Sequence, residues 1–317
     1  MNLPLLRSII VISIFTGLVS AADPQLMNLL MPDVKVVAGM NVDQAKASPF
    51  GQFLLARAQA QDQALSKLAA ATGFDPRNDL REVLMGTTGR LRQNGLVLAR
   101  GNFDTVRILA AAQAAGQKVE SYKGVNILTG QEESMTHALA FLDNAIAIAG
   151  DLDSVHGAID RRSAANAIDP ALSAKVGQLS GSMDVWSVSI VPLATLANHQ
   201  APNPDLNGML SSDALKSIQQ TSGGVKFGAT VRLSAEAVAG TDKDATALAD
   251  VVRFLGLMVQ SNAPTEIAAA ITSLVQSLSV QADGNTVKLA LAIPEEQLES
   301  FVRSAEQGKS LREHRRL

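Results

Sequence analysis

The chain has 317 residues, 27 Lys and Arg against 30 Asp and Glu, and a formal net charge of −3. That balance excludes the electrostatic drive toward phosphate backbones on which nucleic-acid binding depends. There is no cysteine and only 3% aromatic residues, with one Trp and one Tyr. Disulfides, thiol catalysis, zinc–thiolate sites and iron–sulfur clusters are therefore excluded, and ligand sites built from stacked aromatic faces are disfavoured.

Residues 1–21 read as a cleavable signal peptide. Arg7 supplies the positive n-region, Ile9 to Phe15 the apolar run that continues to Leu18, and Val19-Ser20-Ala21 the small or slender residues before a cut after Ala21, with Ala22 the next best position. A transmembrane anchor needs about 20 apolar residues, and Ser13, Thr16 and Gly17 interrupt a shorter stretch. No cysteine follows the cut, which excludes a lipoprotein anchor. The expectation is a periplasmic or secreted protein with no transmembrane anchor after processing.

Residues 22–162 read as a first α+β unit. Asp33-Val34-Lys35-Val36-Val37 begins a strand. Ser48-Pro49 opens a helix as N-cap and first helical residue, with an apolar face through Phe50, Leu54, Leu65 and Leu68. Asp75-Pro76 opens a second, carrying Leu80, Val83 and Leu84, and Asp104 starts a third. Leu139 and Phe141, the turn Asp143-Asn144, then Ile146 and Ile148 form a hairpin ahead of another helix.

Residues 163–183 are Ala-rich, contain Asp169-Pro170, and read as a linker with room for a short helix. A second α+β unit spans 184–308. Its first strand is Asp184-Val185-Trp186-Ser187-Val188, and His199 to Asn207 form a surface loop. Thr241 and Asp244 cap a helix whose stripe is Leu248, Val252, Leu255 and Val259. Ile267, Ile271, Leu274 and Leu278 form a second stripe. The turn Asp283-Gly284-Asn285 precedes the alternating Val287, Leu289, Leu291 and Ile293. Residues 309–317 are a basic tail with Lys309, Arg312, Arg315 and Arg316, read as a solvated end rather than a lipid contact.

Three landmarks recur at similar separations: the strands at Asp33 and Asp184, the helix starts at Asp104 and Asp244, and the turns at Asn144 and Asn285. The fold class expected is α+β, as two tandem diverged copies of a mainly antiparallel sheet with helices packed on one face. The run from Met31 to Val42, Ser48-Pro49-Phe50-Gly51, and the run from Gly73 to Leu84 together resemble exported proteins of unassigned function from soil bacteria of the acidobacterial type. The resemblance is sharpest over residues 31–104. It brings no activity, and no functional residue is transferred from it.

Motifs for catalysis are missing. There is no His-Glu-x-x-His, Gly-x-Ser-x-Gly or Ser-x-x-Lys, and no phosphate loop; Gly177-Gln178-Leu179-Ser180-Gly181 has the wrong spacing for a nucleophile elbow. The densest polar cluster is Asp151, Asp153 and His156. Helix-start chemistry accounts for its acids, Asp151 as N-cap and Asp153 in the first turn. His137, His156, His199 and His314 are widely spaced. Trp186 and Tyr122 read as packing residues. No catalytic, cofactor or metal residue is assigned, and no cofactor is expected. The leading reading is a non-enzymatic binding or interaction protein of the cell envelope, whose partner is an envelope protein or a hydrophobic small molecule. The alternatives are a carrier holding a hydrophobic ligand in an interior cavity, and a hydrolase without a recognisable motif.

Overall fold

The computed structural model describes residues 22–61, 69–89, 95–132, 135–163, 167–196, 213–263, 268–300 and 302–303. Twelve strands form one sheet: β1 (Val36–Asn41), β2 (Leu80–Thr87), β3 (Gly95–Gly101), β4 (Lys118–Tyr122), β5 (Val125–Glu132), β6 (Met135–Phe141), β7 (Ile146–Asp151), β8 (Val185–Ser189), β9 (Ile218–Lys226), β10 (Thr230–Ala239), β11 (Ser279–Asp283) and β12 (Thr286–Pro294). Their order is β11-β12-β10-β9-β8-β1-β2-β3-β7-β6-β5-β4. Neighbours pair antiparallel throughout. The join is β1 against β8, with Val37 opposite Val188 and Gly39 opposite Trp186.

The helices described are α1 (Pro24–Leu29), α2 (Val42–Lys46), α3 (Pro49–Gln61), α4 (Pro76–Asp79), α5 (Thr105–Ala114), α6 (Leu152–Arg161), α7 (Pro170–Ser180), α8 (Leu193–Leu196), α9 (Asp213–Lys216), α10 (Asp242–Ser261) and α11 (Ala268–Ser277). Their starts follow the side chains that cap them. Asp104 accepts from the Arg107 amide at 3.0 Å, and Asp169 from those of Ala171 and Leu172. Thr241 accepts from the Asp244 amide at 3.1 Å while its hydroxyl donates to the Asp244 carboxylate at 2.7 Å. Ser48 Oγ accepts from Gly51 N–H at 2.9 Å, so Pro49 opens α3 as its sequence implies. Leu65 and Leu68 of the apolar face expected there lie outside the described residues, as do His199, His314 and the basic tail.

Residues directly opposite in an antiparallel pair share a face. On one face Val188, Val37, Gly86 and Leu96 form a row. Leu84, Leu98, Ile127 and Ile148 meet Leu26 of α1, Val155 of α6 and Leu172 of α7 on this side, all buried in one core. The other face carries the row Ser187, Ala38, Met85 and Val97. There Ile108 of α5 packs with Phe103 and Ala147, and farther along Ala245 and Leu248 of α10 pack with Val287.

Two expectations change. Helices cover both faces rather than one, because Ile146, Ala147 and Ile148 are all buried and β7 therefore needs partners on each side. The helix expected to carry Leu80, Val83 and Leu84 ends after one turn, at Asp79. Those residues enter β2 between β1 and β3, where backbone pairing on two edges and a fully buried Leu84 outweigh a helical spacing shared by only three apolar residues. Residues 163–183, read as a linker, contain α7, whose Leu172, Val176 and Leu179 lie in the main core.

Trp186 packs across the β1–β8 join. A Cβ at residue 39 would lie 2.4 Å from Trp186 Cζ2, so the indole occupies the space that only a glycine leaves open. Val185, its neighbour in sequence, points to the opposite face, as strand alternation requires.

Candidate functional site

On the face opposite Trp186 an open trough of about 680 Å³ crosses β8, β9, β10 and β12. Its floor follows from register: Val185 is opposite Val225, Val225 opposite Leu233, and Leu233 opposite Leu291. One row along, Ser187, Gly223, Ala235 and Leu289 succeed one another across the same strands. Gly223 keeps this floor low; a Cβ there would lie 2.5 Å from the Ser234 carbonyl oxygen. Leu278, just past α11, forms part of the wall. Glu236 borders the trough through its strand, but it shares the opposite face with Ser222 and Lys288, and its carboxylate bonds Lys175 of α7.

The helices on this side fill little of the available space. In α10 only Ala245, Leu248 and Ala249 are buried; Val259, the last residue of the expected stripe, is 50% exposed, and Phe254 and Leu257 are more so. In α11 no residue is buried, although Ile271 and Leu274 repeat at helical spacing. Met85, beside Ala38 on the same face, is also half exposed.

The polar residues singled out by sequence fall elsewhere. Asp151 caps α6, its Oδ1 accepting from the Ser154 amide at 2.9 Å and its Oδ2 from the Ser154 hydroxyl at 2.7 Å. The same carboxylate accepts from Gly95 N–H, tying α6 to β3. Asp153 lies in the first turn. His137 sits opposite Asp151 in the β6–β7 pair. His156 instead stacks on Tyr122, with ring centroids 4.0 Å apart. Tyr122 donates to Asp160 at 3.3 Å, and Lys123 donates to the same carboxylate at 2.6 Å. The Lys123 hydrogen bond holds Asp160 below the usual carboxylate range and raises Lys123 in turn. Lys123 and Asp160 are exposed, whereas Tyr122 and His156 are partly buried, Tyr122 packing against the main core. A smaller hollow of about 340 Å³ near Asp79, Asn102, Asp104 and Asn144 is polar, and its groups already serve as caps and loop contacts. No group of three or more His, Asp or Glu placed to hold a metal occurs among the described residues.

No protein-family model matches the sequence, and none of the curated proteins does. Among solved structures, crystal form I of TP0453 is similar with a TM-score of 0.49 and 11% identity, covering 90% of this chain and 99% of that one. Crystal form IV of TP0453 gives a TM-score of 0.48 and 10% identity, covering 87% and 95%. At this level nothing is transferred from that protein to this chain. Among the described residues no helix is long and apolar enough to cross a membrane.

The trough escaped sequence reasoning except in outline. Leu289 and Leu291 were visible as alternating strand residues, but their partners Val185, Val225 and Leu233 come from three other strands, and only pairing brings them onto one floor.

Proposed function

We propose that this is a binding protein whose ligand is a hydrophobic molecule with an aliphatic chain, held in the trough over β8, β9, β10 and β12. The observation that carries this reading is an apolar floor of named Val, Leu and Ala residues left uncovered in a volume of about 680 Å³, within the about 300–1,000 Å³ of small-molecule sites. It favours the carrier alternative, with an open trough in place of an interior cavity. No charged side chain lies on the floor rows, so affinity would come from apolar burial, about 0.8 kcal/mol or about fourfold per methylene.

A chain-length series tests it. Affinity of saturated fatty acids for the protein, measured by displacement of a fluorescent probe, should rise about fourfold per methylene until the trough is full. Ala235→Trp, at a solvent-accessible floor position, should weaken binding by about tenfold or more by filling the space. Affinity indifferent to both chain length and Ala235→Trp would overturn the reading.

Export to the cell envelope and duplication belong to the same proposal. Duplication is supported by the order of strands outward from the β1–β8 join: β1, β2, β3 and the β7–β6 hairpin on one side, β8, β9, β10 and the β12–β11 hairpin on the other. Both hairpin turns also tie back to the preceding segment. Phe103 N–H donates to the Asn144 carbonyl, and Ala239 N–H to the Asn285 carbonyl, each at 2.8 Å. A helix follows each of these anchors, α5 and α10. The β4–β5 pair would then be an addition to the first copy.

A further inference from the structure

The first described residues are held tightly. Ala22 N–H donates to Ser180 Oγ at 2.9 Å, and Asp23 N–H donates to Glu82 Oε1 at 3.1 Å. Asp23 caps α1 through the Gln25 and Leu26 amides and pairs with the Arg100 guanidinium, which also donates to Gln25 at 2.6 Å. Leu26, Leu29 and Leu30 then insert into the main core. Ser180 is itself 3% exposed.

The charges in this corner do not balance. Asp23 and Glu82 share one cation, Arg100, which lies opposite Glu82 in the β2–β3 pair. Burial pushes the Glu82 carboxyl up and the Asp23 charge adds to this, while the Asp23 amide and Arg100 act in the other direction. Among the described residues this corner holds two carboxylates against one cation, one residue from the peptide bond expected to be cut.

We propose that the corner formed by Ser180, Glu82 and Asp23 is a receptacle for a free α-ammonium group on Ala22, created by cleavage after Ala21. The proposal rests on the reading of residues 1–21 as a signal peptide. Cleavage exchanges an amide with one N–H for an ammonium with three donors and a full charge, one residue from the Asp23 amide that already donates to the half-buried Glu82 carboxylate.

The sign of the effect follows from linkage. A carboxyl raised in the folded state costs stability as pH climbs from the ordinary carboxylate range through its folded value. An ammonium that gains a partner contributes stability below its ordinary value of about 8 and loses it above the raised folded one. The free amine should therefore stabilise the fold between these limits and cease to do so in alkaline solution.

Three chains test this: one beginning at Ala22 with a free amine, the same chain acetylated on that amine, and one extended by Ser20-Ala21. Glu82 titration is followed by carbon-13 NMR and Tm from pH 4 to 10. The free-amine chain should show Glu82 titrating lower than in the other two. It should also have the higher Tm near neutral pH, an advantage that disappears in alkali and in the Glu82→Gln background. Identical Glu82 titration in all three chains overturns the receptacle, whether or not Glu82→Gln folds. N-terminal sequencing of the exported protein tests the other premise separately: a start at Ala22 supports it, and a different start overturns the cleavage reading alone.

Discussion

The two sides of the sheet's central join use similar strands differently. At β3 and β7 both faces are covered: Leu98 and Ile148 meet α1 and α6 on one side, and Ala147 meets Ile108 of α5 on the other, whereas Met85 of β2 is left half exposed. From β8 to β12 the face that faces α7 is largely polar beyond β8, with Ser222, Glu236 and Lys288. The opposite face is apolar, but α10 covers only the end near Ile218 and Val287. Apolar residues at the same pleat positions thus act as core in one half and as an open floor in the other. What separates them is whether a helix reaches over them.

The largest test of this contrast compares two leucines. Leu98→Ala, in the closed core, should cost about 2–5 kcal/mol in denaturant unfolding. Leu291→Ala, on the partly buried trough floor, should cost less and reduce aliphatic-ligand affinity as well. Equal destabilisation by the two substitutions would show that the trough is simply core.

The join itself offers the next effect. Gly39→Ala places a methyl against the Trp186 ring and should cost about 1–3 kcal/mol. In a Trp186→Leu background the penalty of the same change should shrink, giving a favourable coupling term in a double-mutant cycle. Additive behaviour would mean that the indole can move aside at little cost.

The smallest effect concerns the polar cluster picked out by sequence. Asp151→Ala removes a helix cap and should lower stability by about 1 kcal/mol, while His156→Ala should alter only the partly buried stack on Tyr122. Neither should change aliphatic-ligand affinity; a loss of binding with the fold intact would place the site at α6 instead.

Much of the local structure was legible from the chain alone. Asp104, Asp151, Asp169 and Thr241 cap helices, and the Asp143-Asn144 and Gly284-Asn285 turns join the strand pairs expected of them. These features are decided within a few residues, where a side-chain oxygen meets an amide or a turn admits a positive φ, as at Gly284. The error at Leu80–Leu84 marks the limit, since strand or helix there depended on neighbours far away in the chain.

Tertiary structure decided the rest. The pairing of β1 with β8 places Gly39 under Trp186 and joins the strands on either side of it into one sheet, and no local signal near residue 39 announces a tryptophan at 186. The trough likewise needs Val185, Val225, Leu233 and Leu291 in register across four strands, beneath helices that stop short of covering them. The receptacle at Ala22 depends on Glu82 and Ser180, distant in sequence and brought together only when α1 seats in the core. Caps and turns are satisfied by atoms a few bonds apart, whereas a face, a floor or a charge partner exists only after long-range pairing has chosen which residues share a side.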